Sequence, residues 1–95
     1  MMVNDPALSP AQPHVVVKAG YRSFSGTVQK ILPGGTIRLR DHRLGDIKVI
    51  VTGETSISTK NGHDVTFESI GVGTRFHGYG SFGGGNYYAK VITID

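Results

Sequence analysis

Residues 36–40 and 46–52 alternate between apolar and polar side chains, which is typical of β-strands with one buried face. Residues 41–45 between them are rich in turn-forming types, so we expect the two strands to form a hairpin. A buried core is then expected where their apolar side chains meet. Those side chains are Ile37, Leu39, Ile47, Val49 and Val51.

Residues 22–31 predict a longer strand that bends. Gly26 lies in the middle of this strand, and a glycine there indicates a bulge or a sharp coil. Ile31 falls outside the alternation, which predicts a kink near Lys30. The sequence Pro-Gly-Gly at residues 33–35 then predicts a turn into the hairpin.

The second half of the chain predicts two more strands and a less regular connection. Residues 74–79 and 87–94 predict strands joined by a flexible glycine-rich loop at residues 80–86. Residues 55–58 predict a short extended piece, and residues 65–70 fit either a short strand or a single helical turn. No segment carries a helical period over ~10 residues, so we expect no long helix.

The composition supports a small all-β domain. The chain has 95 residues, which fits one domain, and its 14 glycines with frequent Val, Ile and Thr suit strands joined by tight turns. A small sheet must hide both its apolar face and its edges, and closure into a barrel hides both. Three meandering strands, an irregular connection and a hairpin predict a five- to six-stranded OB-like (Greek-key) barrel over residues 14–95.

The first part of the chain predicts less structure. Residues 1–13 contain three prolines and no apolar period, which predicts a flexible or extended N-terminal arm, or one that orders on a partner subunit. Residues 14–18 include three consecutive valines and predict a short strand at a sheet edge or within the arm. No stretch approaches the ~20 apolar residues of a membrane span, so no span is predicted. The absence of cysteine fits a reducing or an oxidising compartment and leaves the localisation open.

Four short motifs resemble those of small bacterial OB-like domains of unknown function. They are Phe-Ser-Gly-Thr-Val at residues 24–28, Val-Thr-x-x-Thr at 51–55, Ser-Ile-Gly-Val-Gly-Thr at 69–74 and Tyr-Ala-Lys-Val-Ile at 88–92. The resemblance covers residues 23–94 and implies the barrel fold, with envelope-associated members expected in the family, but it implies no activity. Periplasmic copper-binding OB domains are more distant in shape, and their Met, His and Trp ligand set is not matched here.

The sequence gives little support for catalysis or for a metal site. No Gly-x-Ser-x-Gly nucleophile motif occurs, and most carboxylates fall in predicted turns, so no catalytic residue and no enzymatic activity is predicted. The glycine-rich loop is followed by a strand, whereas phosphate-binding loops need the N-terminus of a helix. The histidines lie far apart without ligand spacing, so neither a metal nor a cofactor is predicted. They are His14, His42, His63 and His77.

A basic patch is the strongest functional signal. The formal net charge is +3, and the alternation places Arg38, Arg40 and Lys48 on one outer face, with Arg43 in the adjoining loop. Cations beside aromatic rings are the combination that binds single-stranded nucleic acid. The alternative is a solvated face whose cations are neutralised by nearby carboxylates. The candidate ligand- or nucleic-acid-binding residues are Arg38, Arg40, Arg43, Lys48, Tyr79, Phe82, Tyr87 and Tyr88.

The predicted function is a non-enzymatic binding or assembly module. Gly, Ser, Tyr and Asn are enriched in residues 80–88, and these types are typical of adaptable protein-binding loops. A protein partner or self-assembly, as in an envelope or virion-type complex, is therefore the first hypothesis. The alternative is an OB-type domain that binds single-stranded nucleic acid through its basic outer face.

Overall fold

The computed structural model describes residues 20–95, so the arm predicted at residues 1–13 and the strand predicted at 14–18 lie outside the described residues. No helix in the described part is long and apolar enough to cross a membrane. The elements are β1 (Tyr21–Leu32), β2 (Thr36–Asp41), β3 (Gly45–Ile50), β4 (Ser56–Thr59), a 3₁₀ turn (Phe67–Ser69), β5 (Arg75–Gly83) and β6 (Asn86–Ile94).

The strands close into a barrel. Strand β1 pairs antiparallel with β2 and β5, β2 pairs with β3, and β5 pairs with β6. The barrel closes because Lys48–Ile50 of β3 pair in parallel with Asn86–Tyr88 of β6. The additional strand β4 pairs in parallel with the second half of β6. The predicted small OB-like barrel is therefore confirmed.

The barrel interior holds the predicted apolar side chains. Ile37, Leu39 and Val49 are fully buried, and Ile47 and Val51 are partly buried against them. Burying one such side chain stabilises the fold by about 1.5–3 kcal/mol. The buried cluster consists of Phe24, Val28, Ile37, Leu39, Val49, Ile57, Ile70, Phe76, Tyr87, Ala89 and Ile92.

Strand β1 bends where the sequence predicts it. The pairing with β2 shifts register between Val28 and Lys30, so Gln29 is an extra residue in a β-bulge. Earlier in the strand, a Cβ atom at Gly26 would lie 1.9 Å from the carbonyl oxygen of Arg40. Only glycine permits this approach, and it allows β1 to coil tightly around the barrel.

The hairpin between β5 and β6 differs from the prediction. The prediction of a loop at residues 80–86 was wrong. Strand β5 continues to Gly83, and only Gly84 and Gly85, both with positive φ, form the turn. Gly80 is buried within the strand pair, where a Cβ atom would lie 2.0 Å from the carbonyl oxygen of Tyr88. The glycines therefore serve close strand packing.

One smaller boundary also differs. The third strand ends at Ile50 and not at Thr52. The Val51 N–H still donates to the carbonyl oxygen of Gly35, in register with the β2–β3 pairing, but Gly35 already belongs to the turn before β2. For residues 65–70, the structure has the helical alternative, as a single 3₁₀ turn.

Candidate binding surfaces

Three basic residues lie in a row across the outside of the barrel. Lys30 on β1 lies opposite Arg38 on β2, and Arg38 lies opposite Lys48 on β3. Side chains in such opposed positions have their Cβ atoms ~5 Å apart. All three residues are exposed, and none forms an ion pair with another described residue. We call these residues the basic row.

Lys30 was not among the candidate residues predicted from the sequence. Simple alternation from Phe24 through Val28 would point Lys30 into the core. The extra residue Gln29 changes this parity, so that Lys30 faces solvent and Ile31 faces inward beside Ile37. The irregular position of Ile31 was therefore the signal that could have identified Lys30.

The charge of Arg40, next to the basic row on β2, is partly balanced. Its Nε atom donates to Asp46 Oδ1 over 2.8 Å, and Asp46 lies directly opposite on β3. Of the two possibilities that the sequence left open, neutralisation applies to Arg40, which is paired with Asp46, and in part to Arg43, whose charge interacts with Asp41. Lys48, at the β3 end of the basic row, has the uncharged Asn86 as its neighbour on β6.

An aromatic ring borders the basic row. Tyr88 on β6 pairs with Ile50 on β3, and strand alternation places both on the same outer face as Lys48. Tyr88 is open to water, with 43% of the residue exposed. We call the basic row together with Ile50 and Tyr88 the outer face.

The remaining predicted residues lie elsewhere. Tyr87 is only 5% exposed and packs against the rings of Phe24 and Phe82, at centroid distances of 6.0 and 4.8 Å. Phe82 and Tyr87 lie at one end of the barrel, in contact with each other, together with Arg43 of the β2–β3 loop. Tyr79 is half-buried on β5, with its ring 6.0 Å from that of Tyr21. The predicted residues therefore do not form one continuous surface.

A buried carboxylate fixes the loop that carries Arg43. Asp41 is 3% exposed, and its two oxygens accept backbone N–H groups from Ser25 at 2.8 Å, Arg43 at 2.8 Å and Leu44 at 3.0 Å. Burial alone would raise the pKa of Asp41, but the three hydrogen bonds and the charge of Arg43 together lower it. The side chain is therefore ionised at neutral pH.

The histidines do not gather into a metal site in the part of the chain that the structure describes. His42 and His63 are exposed in separate turns, and His77 Nδ1 lies 2.8 Å from Asp95 Oδ1 at the surface. No group of three or more histidines and carboxylates within residues 20–95 is placed to hold a metal ion. His14 lies outside the described residues.

Comparison with known proteins identifies the fold. No protein-family model and no curated protein sequence matches the chain. A similar solved structure is a variant of CusF from Escherichia coli, determined with Cu(II), with a TM-score of 0.62 and 12% sequence identity. The match covers 85% of this chain and 99% of that one. At this identity the similarity shows a shared small barrel and nothing about ligands.

Proposed function

We propose that this barrel is a non-enzymatic binding module that holds single-stranded nucleic acid on its outer face. The proposal depends mainly on the basic row, because like charges placed directly opposite destabilise a sheet by about 0.2–1 kcal/mol per pair. Arg38 has such a neighbour on both sides. No described carboxylate pairs with any of the three residues. A bound polyanion would offset this repulsion.

The arrangement on the outer face suits an extended single strand. Lys30, Arg38 and Lys48 would contact phosphates, while the exposed ring of Tyr88 would stack on a base and Ile50 would contact its edge. Stacking on an aromatic side chain contributes about 1–3 kcal/mol per base and tolerates any sequence. In OB folds the second and third strands commonly form the surface that binds oligonucleotides. The basic row crosses these same strands, β2 and β3.

Salt-dependent binding tests the contribution of the basic row. Fluorescence anisotropy would measure the affinity for a labelled oligothymidylate of about ten nucleotides, a typical site size for an OB fold, between about 50 and about 200 mM salt. The variant Arg38→Gln should weaken binding and reduce the slope against log salt by about one. Lys60→Gln removes an equal charge from a turn outside the outer face and should leave the slope nearly unchanged. No binding at low salt, or equal losses in the two variants, would refute the proposal.

The stacking contact is tested separately. Tyr88→Ala should weaken oligothymidylate binding by roughly 5- to 140-fold, since the loss of one base stack costs about 1–3 kcal/mol. Tyr88→Phe keeps the ring and should bind nearly as the wild type does. If the two variants bind equally, the ring has no stacking role.

A protein partner is the second candidate function. Two large apolar side chains are exposed at the barrel end: Leu44 is 48% exposed and Phe82 is 38% exposed. Leu44 lines the same groove as Tyr87, whose ring contacts Phe82, and exposed apolar residues near one another are typical of surfaces that contact other proteins. Sedimentation of the purified chain would show self-association, and a strict monomer would leave a different protein as the partner.

A further inference from the structure

The barrel end contains a groove that the proposed nucleic-acid surface does not use. The groove has a volume of about 340 Å³, within the ~300–1,000 Å³ of sites that bind small groups. It is lined by Tyr21, Arg22, Ser23, Arg43, Leu44 and Tyr87. Two of these residues are cations, and none is a carboxylate. The ionised Asp41 offsets part of the charge of Arg43, but the charge at the groove remains net positive and suits an anion.

The guanidinium of Arg22 is held in a position from which it can bind a carboxylate. Its Cζ atom lies 4.4 Å from the centre of the Phe82 ring. A guanidinium stacked by its face keeps the N–H donors along its edge available. No described carboxylate forms an ion pair with Arg22. The ring beneath it is itself supported by Tyr87, 4.8 Å away.

The second cation is also fixed in place. Arg43 Nη2 donates to the carbonyl oxygen of Ser23 over 3.2 Å, and its backbone N–H donates to the buried Asp41 carboxylate. This geometry uses few of the five guanidinium donors. Arg22 and Arg43 therefore present donors to the same groove from β1 and from the β2–β3 loop.

Tyr87 provides independent support for a ligand in the groove. Tyr87 is 95% buried, and a tyrosine buried to this degree usually hydrogen-bonds through its hydroxyl. None of the side-chain hydrogen bonds among the described residues involves this hydroxyl. Since Tyr87 lines the groove, a bound carboxylate could accept a hydrogen bond from its hydroxyl.

We infer that this groove binds a peptide segment of a partner protein in which a carboxylate side chain lies beside an aliphatic one. Arg22 and Arg43 bind the carboxylate, and the exposed side chain of Leu44 contacts the aliphatic residue. A nucleotide base fits less well, because Arg22 covers Phe82 and Tyr87 is buried. The inference rests on the second candidate function, a protein partner, and names its chemistry.

The test uses the full chain and a short labelled peptide of alternating aspartate and leucine. Amide NMR spectra should show shifts at residues 21–23 and 43–44 when the peptide binds. Anisotropy should show roughly ten-fold weaker binding for Arg22→Gln, the loss expected for one charge-assisted hydrogen bond. Leu44→Ser should also weaken peptide binding. Because Leu44 is exposed, this substitution should leave the barrel folded. Arg75→Gln, an exposed cation on β5, is the matched control and should bind like the wild type.

Control peptides separate the two parts of the recognition. A peptide of asparagine and leucine lacks the charge, one of aspartate and serine lacks the aliphatic contact, and each should bind more weakly. The inference is wrong if the acidic peptide causes no shifts, or if its shifts fall on Lys30, Arg38 and Lys48. It is equally wrong if oligothymidylate shifts the groove amides, or if the free chain sediments as a dimer that buries them. A failure at the groove leaves binding on the outer face intact, so the two proposals fail separately.

Discussion

Reversing the charge of Lys48 tests the main physical argument, because it should move stability and binding in opposite directions. In the wild type, Arg38 lies between two lysines and experiences two repulsive pairings. Lys48→Glu removes one of these repulsions and replaces it with an attractive cross-strand pair. Each of these two changes is worth about 0.2–1 kcal/mol, so the free energy of unfolding should rise by about 0.4–2 kcal/mol.

Thermal unfolding at low salt measures the gain in stability. For a domain of this size, 1 kcal/mol corresponds to a change in Tm of about 4–8 °C, so we expect a rise of roughly 2–16 °C. The rise should shrink at high salt, because ions screen exposed charges. Lys60→Glu makes the same charge change in an exposed turn and should shift Tm far less. The affinity for oligothymidylate should fall at least ten-fold in Lys48→Glu, since a phosphate contact becomes a repulsive one.

The changes in Tm and in oligothymidylate affinity of Lys48→Glu, taken together, show whether the basic row serves a ligand. A higher Tm with weaker nucleic-acid binding indicates that the basic row is maintained for a ligand at a cost in stability. A lower Tm would show that Lys48 supports the fold through contacts other than charge. It would refute the claim that repulsion between Lys48 and Arg38 destabilises the wild type. A higher Tm with unchanged binding would place any nucleic acid away from the basic row.

The other predictions concern the barrel itself. A Cβ atom at Gly78 would lie 2.0 Å from the carbonyl oxygen of Val91, so Gly78→Ala should lower the free energy of unfolding by at least the ~1–3 kcal/mol typical of overpacking. A Cβ atom at Gly83 meets nothing within 4 Å, so Gly83→Ala should be nearly neutral by urea unfolding. Equal stability of the two variants would contradict the close packing of β5 on β6. Because the pKa of Asp41 is lowered, its ionised carboxylate stabilises the fold above pH ~4, and this stabilisation is lost as the pH falls further. Asp41→Asn should therefore be about 1–3 kcal/mol less stable than the wild type at neutral pH. The difference in unfolding free energy between Asp41→Asn and the wild type should narrow below pH ~4. A difference that stays constant with pH would mean that the charge of Asp41 has no role. Glu54→Gln, at an exposed site, is the control.

The alternation of side chains predicted much of the fold because burial enforces it. Ile37, Leu39 and Val49 lie inside because a slip of one residue would place each of them in water. The loop predicted at residues 80–86 failed for a different reason. Glycine favours turns, but it also permits close contact between strands, and only the partner strand distinguishes these uses, as Gly80 against Tyr88 shows.

The candidate sites were predictable only where a regular strand carries them. Arg38 and Lys48 follow from period two, whereas the outward position of Lys30 depends on the bulge at Gln29. Tyr87 and Tyr88 are adjacent aromatic residues that the sequence treats alike. Closure of the barrel turns Tyr87 into the core and Tyr88 to solvent. This distinction depends on a parallel pairing with β3 that no local pattern specifies.

The two surfaces depend on different parts of the molecule, which makes them experimentally separable. The outer face is held by the register of paired strands, so it should persist as long as the barrel is folded. The groove depends in addition on the β2–β3 loop, which Asp41 orders through the N–H groups of Arg43 and Leu44. Loosening this loop should therefore affect peptide binding before it affects the basic row. Any ligand that still binds to a folded Asp41 variant with wild-type affinity belongs to the outer face.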